Sequence, residues 1–405
     1  MGAADTRPAF HLLQGKSPKE LFGTLPTPCY IIDETGLKNN AKQLASVMQN
    51  TGCKILLAQK AFSNYDFYPL LSDYLSGTEA SGLFEARLGA EKMSGKEVHV
   101  FCAAYKEEEF DELLRYADHI VFNSPTQLKL FGPKAKEHGK SIGFRINPQC
   151  STQEGHEIYD PCSPSSRLGT TREVWDESMS EELIDLLDGL HFHTLCEQNA
   201  DALQTTLQAV EEKFGDVLLR MKWLNMGGGH HITREDYDVS LLERLILDAS
   251  KKWGVEIYLE PGEAVALNAG FLVSQVLDIV KNGKNKIAIL DTSAACHMPD
   301  VIEMPYLPPV YGAVADSTEN YSYILGGPTC LAGDVIGRYS FKEELHIGDQ
   351  VIFGDLAIYS TCKNNTFNGM PLPNIYSRTL DGRLEKLTNF DYSDFKMRLG
   401  RETPM

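Results

Sequence analysis

Cys53-Lys54-Ile55-Leu56-Leu57-Ala58-Gln59-Lys60 is an apolar run that ends on a lysine. A short, nearly continuous apolar run bounded by polar residues has the profile of a strand buried on both faces, as parallel sheets require. An ammonium where such a strand passes into a loop must be solvated, paired or put to chemical use. An amine among apolar neighbours condenses with aldehydes. On its own Lys60 reads most simply as a solvated strand end. The second reading gains weight because further polar signals stand at equivalent places downstream.

From Thr35 onward, strand-like runs alternate with segments of helical apolar spacing. The strands are predicted at Ile55–Gln59, Thr78–Ala80, Val98–Cys102, His119–Phe122, Ile142–Ile146, Leu190–His193, Trp223–Met226 and Glu256–Leu259. Leu37, Ala41, Leu44 and Met48, and later Leu203, Leu207 and Val210, are spaced as one face of a helix. Such an alternation predicts a TIM-like (β/α)8 barrel over residues 35–268, with its chemistry at the C-terminal ends of the strands. A doubly wound open sheet is the alternative. Beyond residue 268 the pattern changes to β-branched runs at Phe271–Val280, Lys286–Leu290, Tyr321–Leu325 and Gln350–Phe353, separated by turn residues. Residues 269–405, joined by 1–34 through the strand-like Thr27–Asp33, are expected to form a second, all-β domain of barrel or sandwich type.

Composition narrows the function classes. A chain of 405 residues, 42% hydrophobic, buries enough core for two domains. A formal net charge of -18 argues against nucleic acid as a partner and is compatible with a cationic small ligand. Nine cysteines without a CxxC pair read as reduced thiols of a cytoplasmic protein. No run has the length and apolarity of a membrane span, and Met1–Thr6 has no signal-peptide core. Gly2 and Thr6 match the short myristoylation pattern only loosely.

Read together, the strand ends carry Lys60, Ser81, Ala103-Ala104, Asn123, Arg145 with Asn147, His193 with Cys196 and Glu197, Gly227-Gly228-Gly229, and Glu260-Pro261-Gly262-Glu263. In a barrel they would share one rim. Three glycines after a strand allow backbone amides to cradle a phosphate, although a tight turn explains them equally well. Glu260 could face the same ligand, or simply serve a turn. An aldehyde-reactive lysine, a phosphate cradle and a carboxylate converge on pyridoxal 5'-phosphate, whose pyridine nitrogen needs an acidic partner. His193 would then lie flat against the ring. The competing metal reading uses His191 and His193 with Cys196, His230 and His231, but His230 and His231 read as loop and His191 as a core histidine. No metal is expected.

A family resemblance rests on the ordered set LAQKAF at Lys60, FRINP at Arg145, HFHTLCEQ at His193, MGGGHH, EPGEA at Glu260, GPTCLAGD at Cys330 and the Phe367-Asn368-Gly369 that follows Tyr359. Over about residues 26–376 the chain resembles the fold-type III, alanine racemase-like pyridoxal-phosphate decarboxylases, which include the ornithine, arginine and diaminopimelate enzymes. Within that group HFHTLCEQ, EPGEA and DTSAACHMPDVIEMPY look most like the branch acting on carboxynorspermidine and carboxyspermidine, in polyamine and spermidine biosynthesis. The resemblance implies that Lys60 links covalently to the cofactor, His193 stacks on it, and Arg145, Gly227, Gly228, Gly229 and Tyr359 belong to its binding site. It further implies that Glu260 pairs with the pyridinium and that Cys330 crosses a homodimer interface to protonate the substrate carbon. The catalytic set is thus Lys60, Cys330, Glu260 and His193. Two departures bear on the ligands: Glu263 stands where ornithine decarboxylases carry a phosphate-binding arginine, and Cys196 replaces a small hydroxyl residue. Glu303 stands where diaminopimelate decarboxylases grip a carboxylate with arginine. Hence a polycationic amino-acid substrate is expected, with Glu263, Asp291, Asp300, Glu303 and Asp334 as candidates for its ammonium groups. A diaminopimelate, ornithine or arginine decarboxylase, or a silent cofactor-binding regulator, is the alternative.

Overall fold

The computed structural model describes residues 5–13, 16–153, 160–318 and 321–400, and Gly2 lies outside them. The chain divides into two compact units, Lys38–Val265 and Met1–Leu37 with Ala266–Met405. The first strand, β1 (Cys29–Asp33), belongs to the second of these. The next eight are β2 (Lys54–Ala58), β3 (Gly77–Ala80), β4 (Glu97–Phe101), β5 (His119–Phe122), β6 (Ser141–Arg145), β7 (Gly189–His191), β8 (Trp223–Asn225) and β9 (Glu256–Leu259). All pair in parallel with their sequence neighbours, and Lys54 of β2 opposite Tyr258 of β9 closes the ring. Closure leaves no unpaired strand edge, which settles the fold in favour of the barrel.

The crossover helices follow from the same apolar spacing. In Val239–Trp253, Leu242, Ile246, Ala249 and Trp253 are the buried positions, on one face. The Asp238 side chain accepts from Leu241 N at its start, and Gly254 ends it in the left-handed region at φ 71°. Inside the barrel, Leu56, Val121, Trp223 and Tyr258 pack together. Gly143 of β6 and Gly189 of β7 leave the space that the Trp223 indole fills; a Cβ would meet its carbons at 2.4 and 2.0 Å.

The N-terminal pole of the barrel is polar and tightly paired. Lys54 Nζ lies 2.6 Å from Glu97 Oε1 and 3.2 Å from Glu256 Oε1, while His99 Nε2 lies 3.0 Å from Glu97 Oε2. The His99 and His119 rings stack with centroids 3.8 Å apart. Burial, then the neighbouring His99, push the His119 imidazole down to about 3.

In the other unit a mixed sheet runs β12-β14-β13-β11-β10-β1-β16-β17, with β15 also paired to β10; these are β10 (Gly270–Asn282), β11 (Asn285–Leu290), β12 (Ala313–Ala315), β13 (Tyr321–Gly326), β14 (Val335–Phe341), β15 (Gln350–Gly354), β16 (Asn374–Arg378) and β17 (Leu384–Lys386). The strand-like Thr27–Asp33 segment is β1, antiparallel to β10 and parallel to β16. Phe10, Leu12, Phe22, Ile31, Phe271, Val273 and Ile352 form its core. Among the described residues no helix is long and apolar enough to cross a membrane.

A neutral buried imidazole ties stability to pH. Because folding holds the His119 pKa below its ordinary value, the unfolded chain binds a proton that the folded chain rejects between pH 6.5 and about 3. Stability is therefore fully present above pH 6.5 and falls on acidification, by up to ~1.4 kcal/mol per pH unit for this one group. Urea midpoints measured from pH 7 to 4 should decline, and His119→Gln should decline less steeply than the parent. Equal slopes would show that His119 carries no such linkage.

Candidate active site

At the C-terminal ends of the barrel strands the sequence places its polar side chains, and the geometry shows which of them meet. Lys60 sits in the turn directly after β2, its side chain 39% exposed, with Nζ 3.8 Å from Glu79 Oε2. Glu79 lies within β3 and its side chain is only 2% exposed. Its Oε2 has no hydrogen-bond partner among the described residues. Burial pushes the Glu79 carboxyl up to about 8, against the pull of the Lys60 ammonium. Glu79 is thereby placed to hold a proton beside the Lys60 side chain.

Glu260 follows β9 and is buried, yet charged. Asn225 Nδ2 donates to its Oε1 at 2.5 Å, and His191 Nε2 lies 3.2 Å from its Oε2. Burial opposes the charged form, but His191, by charge and then by hydrogen bond, and the nearby Lys60 hold the carboxyl down to about 2. Burial lowers the His191 imidazole in turn, against the pull of Glu260. Asn225 Oδ1 in turn accepts from Gly227 N at 2.9 Å, tying the carboxylate to the glycine loop. Neither His191 nor Asn225 was singled out from sequence as part of this site. Inward-pointing polar residues at the ends of β7 and β8 are the signal that marks them.

The three glycines are held in the one shape their surroundings allow. Gly227 and Gly229 have φ of 68° and 79°. A Cβ at 227, 228 or 229 would lie 2.4 Å from Phe192 O, 2.5 Å from Glu260 O or 2.0 Å from Leu195 O. Backbone cannot move aside for a side chain there. Gly228 N donates to His193 Nδ1 at 3.1 Å, which fixes the ring as the Nε2–H tautomer. Burial, and then Lys60, drive the His193 pKa well below its usual range. Arg145 is buried with its guanidinium 4.5 Å over the Phe101 ring, and Nη2 donates to His193 O at 3.2 Å. Gly262 brings the β9 loop against the β2 turn, its Cβ position lying 2.6 Å from Ala61 Cβ. Lys60, Arg145, His193, Gly227–Gly229 and Glu260 therefore share one rim. Asn123 instead braces the neighbouring loop, accepting from Gly169 N at 2.6 Å. Of the residues weighed for metal, His230 Nε2 lies 3.2 Å from Met226 O, whereas His191 turns to Glu260.

Cys330, Tyr359, Asp291, Asp300, Glu303 and Asp334 belong to the sheet unit. Cys330 is exposed, with its N–H held by Asn368 Oδ1 at 2.7 Å. Tyr359 has φ of 53°. Asp334 is buried and accepts from Ser293 Oγ at 3.0 Å and Thr329 Oγ1 at 2.6 Å, bracing the Cys330 turn. Asp291 accepts from Ser274 Oγ at 2.7 Å. Asp300 and Glu303 close together on Lys363 Nζ, the latter at 2.5 Å.

Comparison with known proteins gives a consistent picture. Residues 29–357 match the family described as "Pyridoxal-dependent decarboxylase, C-terminal sheet domain". A carboxynorspermidine/carboxyspermidine decarboxylase of Campylobacter jejuni is 43% identical, covering 93% of this chain and 99% of the relative. A carboxyaminopropylagmatine decarboxylase of Synechocystis is 37% identical over 94% and 97%. The crystal structure of carboxynorspermidine decarboxylase complexed with norspermidine, from C. jejuni, superposes with a TM-score of 0.84 at 42% identity, covering 92% of this chain and all of the other.

The rim fits pyridoxal 5'-phosphate. Its glycine loop excludes any Cβ, its lysine stands at a strand end, and its buried carboxylate is held ionised. Mass spectrometry after borohydride reduction should find a cofactor-sized adduct on Lys60 and none in Lys60→Ala. Glu260→Gln should keep the adduct but turn over at least ~100-fold more slowly, since a neutral partner stabilises developing charge poorly. An adduct on another lysine, or near-normal turnover in the saturated Gln variant, would remove these roles.

Proposed function

As this chain belongs to the pyridoxal-dependent decarboxylases, we propose that it removes the α-carboxylate of carboxynorspermidine or carboxyspermidine, giving norspermidine or spermidine. The observation that carries this is 43% identity over almost the whole length of the C. jejuni enzyme, whereas diaminopimelate decarboxylases match at 23–27%. Bound pyridoxal 5'-phosphate supplies the electron sink for the pair left behind when carbon dioxide departs. Lys60 would be the residue that holds the cofactor covalently. Glu260 would keep a proton on the ring nitrogen, and His193, held by Gly228 N, would lie against the ring face. Arg145 fixes His193 through its main-chain oxygen, the Gly227–Gly229 loop would receive the phosphate, and Tyr359 would add to the phosphate site. Glu79 holds the proton that Lys60 exchanges.

The distal ammonium groups of such a substrate need carboxylates. Asp300 and Glu303 support this role because they already grip a primary ammonium, that of Lys363. In the proposed complex a substrate ammonium takes that place, with Glu263, Asp291 and Asp334 as further candidates. The Synechocystis relative favours one second reading, a substrate ending in guanidinium rather than ammonium. Kinetics with carboxynorspermidine, carboxyspermidine, carboxyaminopropylagmatine and diaminopimelate decide among them. The first pair should give the highest kcat/KM, and Glu303→Gln should raise their KM about 3- to 10-fold with little change in kcat, as for uniform binding lost. Preference for diaminopimelate would overturn the proposal.

We further propose a cytoplasmic homodimer in which Cys330 of each subunit serves the other's site and protonates the substrate carbon. Mixing inactive Lys60→Ala and Cys330→Ala subunits should then restore up to about a quarter of parental activity, because half the dimers are mixed and each has one intact site of two. Absence of recovery despite proven subunit exchange would place Cys330 outside the neighbouring site.

A further inference from the structure

Cys330 lies in the connection between β13 and β14, where Leu331 beside it is 43% exposed. An exposed connection is ordinarily among the most mobile parts of a fold. This one is held by hydrogen bonds on both sides of the cysteine. They draw on Phe367-Asn368-Gly369, a motif with no other part in the proposed reaction.

The first arm runs through Asp334. Its Oδ2 accepts from Thr329 Oγ1 at 2.6 Å, and Thr329 Oγ1 accepts from Leu331 N at 3.4 Å, so that the residues before and after Cys330 are tied to one carboxyl. Gly327 N donates to Asp334 O and Asp334 N to Leu331 O, both at 2.9 Å, which closes the turn across its base. A Cβ at 327 would lie 2.2 Å from Asp334 Oδ2, so glycine is what lets the carboxyl in. Asp334 Oδ1 accepts from Ser293 Oγ at 3.0 Å and from Ala295 N at 3.3 Å, anchoring the turn to the helix Ala294–His297.

The second arm holds Cys330 itself. Its N–H donates to Asn368 Oδ1 at 2.7 Å, within the turn Phe367–Gly369. Asn368 has φ of 59°, a left-handed conformation that asparagine accepts at less cost than most residues with a side chain. Phe367 N donates to Asn365 Oδ1 at 2.9 Å, and Asn365 returns to the same helix, its Nδ2 donating to Ala295 O at 2.8 Å and its N to Cys296 O at 2.9 Å. Ala295 is thus gripped at its N–H by Asp334 and at its C=O by Asn365, and Cys330 closes the frame at the far end. Neither arm uses the thiol.

We propose that Asn368 and Asp334 are positioning residues for Cys330, holding the backbone that carries its thiol so that the thiol meets the substrate carbon at one distance and angle. This deepens the reading of Cys330 as proton donor to the neighbouring site and rests on it. Proton transfer demands hydrogen-bond reach, and a displacement of about 1 Å costs on the order of 100-fold in rate. An exposed turn has little packing to hold it to that tolerance, and directed hydrogen bonds take its place. Asp334, 4% exposed and with three donors on its two oxygens, belongs to this frame and not to the ammonium receptors. The segment leading to Asp300 and Glu303 keeps ties of its own, through Asn365 and through His297 Nε2, 3.0 Å from Pro371 O. Loosening the frame therefore disturbs the thiol and leaves the ammonium receptors in place.

Asn368→Gly keeps the left-handed backbone and removes only the acceptor, and Asp334→Asn keeps shape while exchanging one acceptor oxygen for a donor. Each should lower kcat about 10- to 100-fold with KM for the carboxylated triamine within about twofold of the parent. Asn368→Asp, which retains an acceptor oxygen, should recover most of the loss. Thr329→Val cuts the Asp334 arm at nearly equal volume and decides for that arm where Asp334→Asn does not fold. Combined with Cys330→Ala, none of these should lower the residual rate further, since each acts through the thiol. In full-length protein stripped of cofactor, amide hydrogen exchange at Cys330 should quicken in Asn368→Gly and not in Asn368→Asp. Undiminished kcat in these variants, or losses that multiply with that of Cys330→Ala, would overturn the proposal. A raised KM at unchanged kcat in Asp334→Asn would make Asp334 an ammonium receptor and remove it from the frame. Full activity of Cys330→Ala would instead sink the proton-donor reading itself.

Discussion

Asn225 Nδ2 and His191 Nε2 hold a charged carboxylate, Glu260, where water does not reach, and the rest of the rim is arranged around that constraint. A buried carboxylate stays ionised only when donors satisfy it. Those donors come from β7 and β8, and Asn225 uses its oxygen to hold Gly227 N, so the charge and the glycine loop cannot shift independently. Gly228 N then sets the tautomer of His193, and Arg145 anchors the same residue from the main-chain side. Glu79, 3.8 Å from Lys60, is pushed the other way, toward the protonated form. Two carboxyls one barrel apart in sequence thus acquire opposite character from their neighbours alone, the arrangement by which one site separates a permanent charge from an exchangeable proton.

Much of this was legible in the chain, and the exceptions have a common cause. The barrel strands read clearly because a parallel strand covered on both faces must be apolar throughout, and Ile55–Ala58 or His119–Phe122 leave little else to suppose. Four of the sheet strands did not. β12 and β17 are three residues long, β16 is polar at both ends, and β14 is interrupted by Gly337-Arg338, so none shows the alternation that marks a strand. Within the rim, residues at strand ends were visible, since a polar group after an apolar run is conspicuous. Glu79 lies inside β3, His191 and Asn225 are the last residues of the three-residue β7 and β8, and all three owe their meaning to partners elsewhere in the chain, Lys60 in one case and Glu260 in the others. No local pattern encodes such a meeting. The sheet-unit residues pose the reverse case: Asp334 and Asp291 read as ligand carboxylates, and their hydrogen bonds show them bracing local turns and strands as well.

The indole of Trp223, lying in the hollow left by Gly143 and Gly189, couples three strands that are remote in sequence. Enlarging either glycine forces a smaller residue at 223, and shrinking the tryptophan opens a void that only a larger residue at 143 or 189 refills. These positions form one unit of volume shared among β6, β7 and β8, directly beneath His191 and Asn225. A change at any one of the three positions, unless a second offsets its volume, therefore reaches the layer above as a change in strand spacing.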